Sequence, residues 1–263
     1  MKTTLYYFTG TGNSLKVAKD ISRNLGDSEC VSIPKALEQN EKIEAPEVVG
    51  IVCPKYYFGL PEIVLQFIDK VNLDKTKYIF TVVTFAKGLP GGALSQMKKA
   101  LALKSKRLSS GFYVRMVDNF ILWTWDVTSE KKHGALHKNA EIKAGKIAEI
   151  VAERGNKIDK SLMEHIGPVL FNYKGFLKEV NTGDKDFYST EKCNSCGLCA
   201  KVCSVKNIKM ADGKPEWLGL TCQRCLACLH LCPQKCVQFG EQTKKRSRYV
   251  NPFIKISELI NGD

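Results

Sequence analysis

Apolar residues in the first 155 positions follow two alternating rhythms. Unbroken runs rich in β-branched and aromatic residues stand at "TTLYYF" (3–8), "CVSI" (30–33), "VVGIVC" (48–53), "YIFTVVTF" (78–85) and "GFYVRMV" (111–117). Between them the spacing widens to the three or four residues of a helix, near 14–25, 61–70, 92–103 and 134–153. In the last of these Leu136, Ala140, Ile147 and Val151 share one side. Strands that are apolar throughout are buried on both faces. The alternation therefore predicts a parallel sheet covered by helices on both sides.

The texture changes near residue 156. Helical spacing continues at Ile166, Val169, Tyr173, Phe176 and Val180, with Pro168 marking a kink or a late helix start. This segment is too apolar for a free linker, so it reads as a packed connector that holds two domains in a fixed relation. Beyond it, "ADGKP" at 211–215 has the residues of a hairpin turn. The expected division is an α/β domain over 1–155, a helical connector over 156–187, a small domain over 188–250 and a tail over 251–263.

With 263 residues, 44% of them hydrophobic and 25% charged, the chain suffices for one large and one small core. No stretch approaches the roughly 18 apolar residues of a membrane span, and "MKTTLYYFTGTG" lacks the pattern of a signal peptide. A cytoplasmic location without a membrane partner is expected.

Eight of the eleven cysteines lie in "CNSCGLCAKVCS" (193–204) and "CQRCLACLHLCP" (222–233), both spaced C-x2-C-x2-C-x3-C. In a reducing compartment such regularity points to metal instead of disulfides. The two halves align beyond the cysteines, "VKNIKM" with "QKCVQF", which implies a duplicated half-module about a pseudo-twofold axis. Zinc ribbons pair cysteines across long loops, whereas three cysteines at successive intervals of three wrap a chain around a cube-shaped cluster. Of the remaining cysteines, Cys30 and Cys53 read as small buried residues. Cys236, which aligns with Asn207, reads as a small residue packed beneath a cluster.

Residues 188–240 resemble the bacterial two-cluster ferredoxins. The resemblance implies two [4Fe–4S] clusters with crossed ligation. Cys193, Cys196, Cys199 and Cys232 would hold one, and Cys222, Cys225, Cys228 and Cys203 the other. The sequence departs from the family at Ser204, where proline is usual. Serine removes no ligand but restores an N–H able to bond to sulfur. Two ligated clusters also lower the net charge of residues 191–263 from +6 to about +2. The formal +13 of the chain thus overstates its basicity, "KKRSR" at 244–248 reads as a solvated face, and no nucleic-acid partner is expected.

"YYFTGTGNSLKVAKDI" places a Gly-x-Gly turn between the first strand and the first helix. Gly10 and Gly12 permit the turn, and N–H groups at the helix start, with the hydroxyls of Thr9, Thr11 and Ser14, can cradle a phosphate. The loop is neither a Walker sequence nor the dinucleotide fingerprint, because no Gly-Lys-Ser/Thr follows and Leu15 stands at the third glycine. The next two strand ends are also unusual: "CPKYYFGLPE" and "TFAKGLPGGAL".

Together these loops resemble those that hold FMN in flavodoxins, over roughly residues 3–150. The resemblance implies that Thr9, Gly10, Thr11, Gly12, Asn13 and Ser14 surround the phosphate. Tyr56, Tyr57, Phe58 and Gly59 would lie beside the isoalloxazine ring, with Thr84, Phe85, Gly88, Gly91 and Gly92 in a third loop. The four histidines, His133, His137, His165 and His230, form no ligand set and read as solvated or helix-capping. Trp123 and Trp125 suit either a flavin edge or the domain junction.

The whole chain resembles the flavodoxin and ferredoxin fusion proteins of anaerobic bacteria. That implies an α/β fold, a flavodoxin-like doubly wound parallel sheet, with a small C-terminal α+β two-cluster ferredoxin domain. It also implies an electron carrier that passes single electrons between two [4Fe–4S] clusters and FMN and on to redox partner proteins. An FMN-dependent reductase of a small substrate is the alternative. Neither a catalytic residue nor an oligomeric state can be read from the sequence.

Overall fold

The computed structural model describes residues 2–39, 42–122, 126–161, 175, 178–180, 183–219 and 222–260. The chain divides into two compact units. One comprises residues up to Thr9, Asn13–Val117 and the stretch that begins at Glu130; the other comprises Gly10–Gly12, Asp118–Ser129 and the C-terminal part.

The first unit is built on β1 (Thr3–Tyr7), β2 (Ser28–Ser32), β3 (Val48–Pro54), β4 (Tyr78–Phe85) and β5 (Ser110–Arg115). All four pairings are parallel and the order is β2-β1-β3-β4-β5. That order is the flavodoxin-like one, with its switch point between β1 and β3. Helices α1 (Asn13–Leu25), α2 (Ile33–Glu38), α3 (Glu62–Lys70), α4 (Ala93–Ala102) and α5 (His133–Ala152) complete the unit.

The strands pack as their composition dictates. Val48, Val49, Ile51 and Val52 of β3 and Phe80, Val82 and Val83 of β4 have no exposed surface. Gly50 interrupts the run on β3 because it stands opposite Phe80 on β4, and the Phe80 ring occupies the space a side chain would need. Helix α2 differs from expectation. The apolar run 30–33 continued the strand to Ile33, but Pro34 in the first turn, with its backbone preset, starts a helix there. Strand β5 likewise ends at Arg115, two residues before the apolar run does.

In the second unit β6 (Phe187–Ser189) pairs antiparallel with β9 (Val237–Phe239), and β7 (Ile208–Ala211) with β8 (Lys214–Trp217). The β7–β8 turn is Asp212-Gly213 at φ 47° and 76°, the left-handed pair that matches strand twist. Single-turn helices α6 (Leu198–Lys201) and α7 (Ala227–His230) follow equivalent positions of the two cysteine runs. Phe187, Ile208, Leu226, Leu229, Val237 and Phe239 share a core with Ile121 and Leu122.

Residues 118–129, which the apolar rhythm assigned to the first domain, cluster with this second unit. Gln242 Nε2 donates to the Leu122 carbonyl at 3.0 Å, and the Ser247 N–H to Asp126 Oδ1 at 3.0 Å. Of the connector positions singled out above, Val180 is buried. Ile166, Pro168, Val169, Tyr173 and Phe176 lie outside the described residues, as do His165, Trp123 and Trp125.

Candidate functional site

In the second unit the cysteines gather around two cavities. Cys193, Cys196, Cys199 and Cys232 line one, joined by Cys236. Cys203, Cys222, Cys225 and Cys228 line the other. Each cavity thus draws three cysteines from one run and one from the other run.

The backbone around them is strained in a repeating way. Ser195, Gly197 and Lys206 of the first half hold φ at 61°, 70° and 51°; Arg224, Leu226 and Lys235 hold 43°, 61° and 49° at the same three positions of the second. A left-handed non-glycine residue costs about 1–2 kcal/mol. Five such residues at matched positions are sustained only because the turns they make wrap the chain around the sulfurs. Those turns aim amides at sulfur. The Asn207 N–H lies 3.2 Å from Cys203 Sγ, the Cys236 N–H 3.3 Å from Cys232 Sγ, and the Arg224 N–H 3.3 Å from Cys222 Sγ.

Burial pushes the thiols up: Cys199 and Cys225 to about 11 and Cys222 to about 12, with neighbouring cysteines adding to the rise. Without a cation these three sulfurs stay protonated. Iron would supply the positive charge that keeps all eight as thiolates, and the N–H donors suit thiolate sulfur. The donor set therefore fits two clusters. Among the described residues no three His, Cys, Asp or Glu side chains close around a single metal ion; the sulfurs instead stand around cavities.

Two polar contacts beside the cysteines go beyond the sequence reading. Ser204, expected to reach sulfur through its N–H, turns its side chain to sulfur: the buried hydroxyl lies 4.0 Å from Cys225 Sγ. Buried Asp184 accepts from Asn207 Nδ2 at 2.8 Å and from the Gly219 N–H at 2.9 Å, fixing the segments beside Cys203 and Cys222. No local pattern announces Asp184; its partners lie 23 and 35 positions away.

His230 corrects the reading of the histidines as solvated or capping. It is 3% exposed, its Nε2 lies 2.7 Å from the Asn119 carbonyl, and its Nδ1 accepts the Tyr249 N–H at 3.2 Å. The partners fix the neutral tautomer, with Nε2–H donating. His137 is buried as well, on the core face of α5. Burial lowers His230 from its ordinary 6.5 to about 4, the Asn119 bond opposing. As pH falls, the unfolded chain takes up this proton first. The stability due to the neutral ring is therefore complete above about 6.5 and lost as pH drops toward 4, on the order of 3 kcal/mol. Urea unfolding of the wild type and His230→Gln at several pH values should show that loss in the wild type and a flatter dependence in the variant; equal slopes would remove His230 as the cause.

In the first unit the loops after β3 and β4 interlock. Tyr56 and Gly59 exchange N–H···O bonds of 2.9 Å around Tyr57 at φ 55°. The Gly92 N–H donates to the Phe58 carbonyl at 2.8 Å, and a side chain on Gly91 would press on the Phe58 backbone at 3.1 Å. Tyr56, Tyr57, Phe58 and Phe85 are half-buried, so they are not core. Lys55 Nζ sits 5.9 Å from both the Phe58 and the Phe85 ring centres. Gly88, at φ 70°, has open space where a side chain would stand. Half-buried aromatic faces at two neighbouring strand ends, with a glycine edge, suit a planar ring system.

Around the first turn, Ser14 Oγ lies 2.8 Å from Thr84 Oγ1 and Asn13 Nδ2 donates to the Val117 carbonyl at 2.9 Å. Helix α1 begins at Asn13 without an acidic residue in its first turn, which leaves its N-terminal field available to an anion. Gly10–Gly12 cluster with the second unit. Thr11 Oγ1 accepts from Asn119 Nδ2 at 2.7 Å, keeping its own O–H to donate, and the Thr11 carbonyl accepts the Asn251 N–H at 2.8 Å. The Gly10 Cα faces the Cys225 carbonyl so closely that no side chain fits. Gly10 therefore has a packing reason of its own.

Among the described residues no helix is long and apolar enough to cross a membrane. Comparison with curated proteins yields no match. Among solved structures, the chain is similar to a flavodoxin from the domain Archaea at 14% identity, covering 57% of this chain and 99% of that one with a TM-score of 0.36. Oxidised flavodoxin 1 from Bacillus cereus aligns at 16% identity over 54% and 97% with 0.31, and the Trp repressor binding protein from Bacillus subtilis at 12% over 59% and 99% with 0.37. A family model described as the flavodoxin domain matches residues 4–115, the span from β1 to β5. The N-terminal part of the chain is a flavodoxin-like domain.

Proposed function

We propose that the protein is an electron carrier that binds FMN in its flavodoxin-like unit and two [4Fe–4S] clusters in its second unit, and passes single electrons among them and on to redox partner proteins. When bound, the flavin takes electrons one or two at a time and each cluster moves one. Cys193, Cys196, Cys199 and Cys232 would hold one cluster; Cys222, Cys225, Cys228 and Cys203 the other. Thr9–Ser14 would hold the flavin phosphate, and the half-buried aromatic residues after β3 and β4 would flank the ring.

The chain's own contribution is positional and electrostatic. N–H donors aimed at Cys203, Cys222 and Cys232 spread the thiolate charge, which lowers the cost of adding an electron. Burial of Cys199, Cys228 and Cys232 keeps water from the inner edges of both sets.

The observation that carries this reading is the gathering of eight cysteines into two sets of four around separate cavities, in one chain with a segment that matches the flavodoxin domain. Anaerobically reconstituted protein should contain about eight iron and eight sulfide per chain, with one releasable FMN. A potentiometric titration should resolve flavin and cluster transitions separately. Stoichiometric zinc in place of iron, or FAD in place of FMN, would overturn the assignment.

A further inference from the structure

The two halves of the cysteine unit differ at one chemically decisive position. In each half the residue four places after the last cysteine of the run donates its N–H to that cysteine's sulfur: Asn207 to Cys203 at 3.2 Å, Cys236 to Cys232 at 3.3 Å. The backbone approach is the same, but the side chains diverge. The Asn207 amide is engaged by buried Asp184 at 2.8 Å, whereas Cys236 lines the cavity it borders. Its Sγ stands 3.3 Å from Cys232 Sγ, and it interacts with the Cys193 thiol as well. The residue expected beneath the site is buried and is also a fifth thiol on the cavity wall.

We propose that Cys236 is a reserve iron ligand of the cavity lined by Cys193, Cys196, Cys199 and Cys232, able to take the place of Cys232; this rests on the iron–sulfur reading above. The exchange is balanced without an oxidant. The iron–sulfur bond to Cys232 breaks, one to Cys236 forms, and the proton of the Cys236 thiol passes to the Cys232 thiolate. No electron moves. The 3.3 Å between the sulfurs means the exchange needs a small side-chain movement and no rebuilding of the turn.

The position of Cys236 does not depend on metal. Its carbonyl accepts the Thr190 N–H at 3.0 Å and the next residue opens β9, which pairs with β6. The sheet therefore presents this thiol whether or not Cys232 is there. Among the described residues the second cavity has no equivalent: the cysteines on its wall are Cys203, Cys222, Cys225 and Cys228. The two sites should answer differently to loss of the crossed-over ligand.

Four proteins, all reconstituted anaerobically, test this by iron and sulfide content and paramagnetic spectra: wild type, Cys232→Ala, Cys203→Ala and the double variant Cys232→Ala/Cys236→Ala. Wild type and Cys232→Ala are expected to carry about eight iron each; Cys203→Ala and the double variant should lose all or part of one cluster, falling toward about four. The cluster of the Cys222 set reports folding in the Cys232 variants. Its spectrum retained in Cys232→Ala with the other cluster lost, as in the double variant, overturns the proposal. If Cys232→Ala gives no folded protein, Cys232→Val with and without Cys236→Ala is judged the same way. A wild type without clusters would defeat the iron–sulfur reading itself, and the proposal with it.

Discussion

Gly10→Ala is expected to cost the protein the cluster proposed for the Cys222 set, cutting iron from about eight to about four per chain. An added Cβ at position 10 falls onto the Cys225 carbonyl. That is backbone, not the end of a flexible side chain, and Cys225 sits in a constrained turn: Arg224 and Leu226 on either side have φ of 43° and 61°. Displacing the carbonyl turns the Cys225 sulfur away from its cavity. Crowding of a packed site costs about 1–3 kcal/mol, and relief by a shift of the peptide removes one of four ligands. Gly134→Ala serves as the control, since its Cβ meets nothing within 4 Å and it lies in α5, where alanine is the better helix former. Iron analysis decides the matter; full iron in Gly10→Ala would show that the loop moves off Cys225 freely.

What was legible in the sequence follows from how local its cause is. The runs at 3–8, 48–53 and 78–85 announced β1, β3 and β4 because a strand buried on both faces must be apolar at every position. The Asp-Gly turn at 212–213 was legible for a similar reason, since few residues tolerate its dihedrals. Helix α2 was missed because six residues are too few for a period to show, and the signal lay in Pro34 alone. Gly50 inside β3 was a readable sign of close approach, but its partner Phe80 was not identifiable without the register.

At the candidate sites the same distinction holds. The cysteine spacing exposed the repeated turns, because each turn is local. The partners of His230 were not exposed: Asn119 lies 111 positions away, and nothing in "DNF" marks it as an acceptor. The assignment of 118–129 to the second unit was hidden for the same reason, its bond from Gln242 to Leu122 bridging 120 positions. Aligning Cys236 with Asn207 carried the relevant asymmetry, but only the 3.3 Å separation from Cys232 turns a spare small residue into a neighbour of the site.

Gly12→Val is expected to abolish FMN retention while leaving the iron content unchanged, the reverse of Gly10→Ala. Gly12 holds φ at 94°, a conformation that costs an L-residue about 1–2 kcal/mol and a β-branched one more. Its Cβ would also stand 3.1 Å from the side chains of Asn251 and Ile254, which adds an overpacking cost of about 1–3 kcal/mol. The loop must then leave the conformation in which α1 presents its N-terminal amides. A native-loop penalty of about 2 kcal/mol already weakens binding roughly thirtyfold. Titration of deflavinated protein with FMN, followed by flavin fluorescence, measures the change. Wild-type FMN affinity in Gly12→Val would take the phosphate role from this loop and leave Gly12 as a residue that admits Asn251 and Ile254.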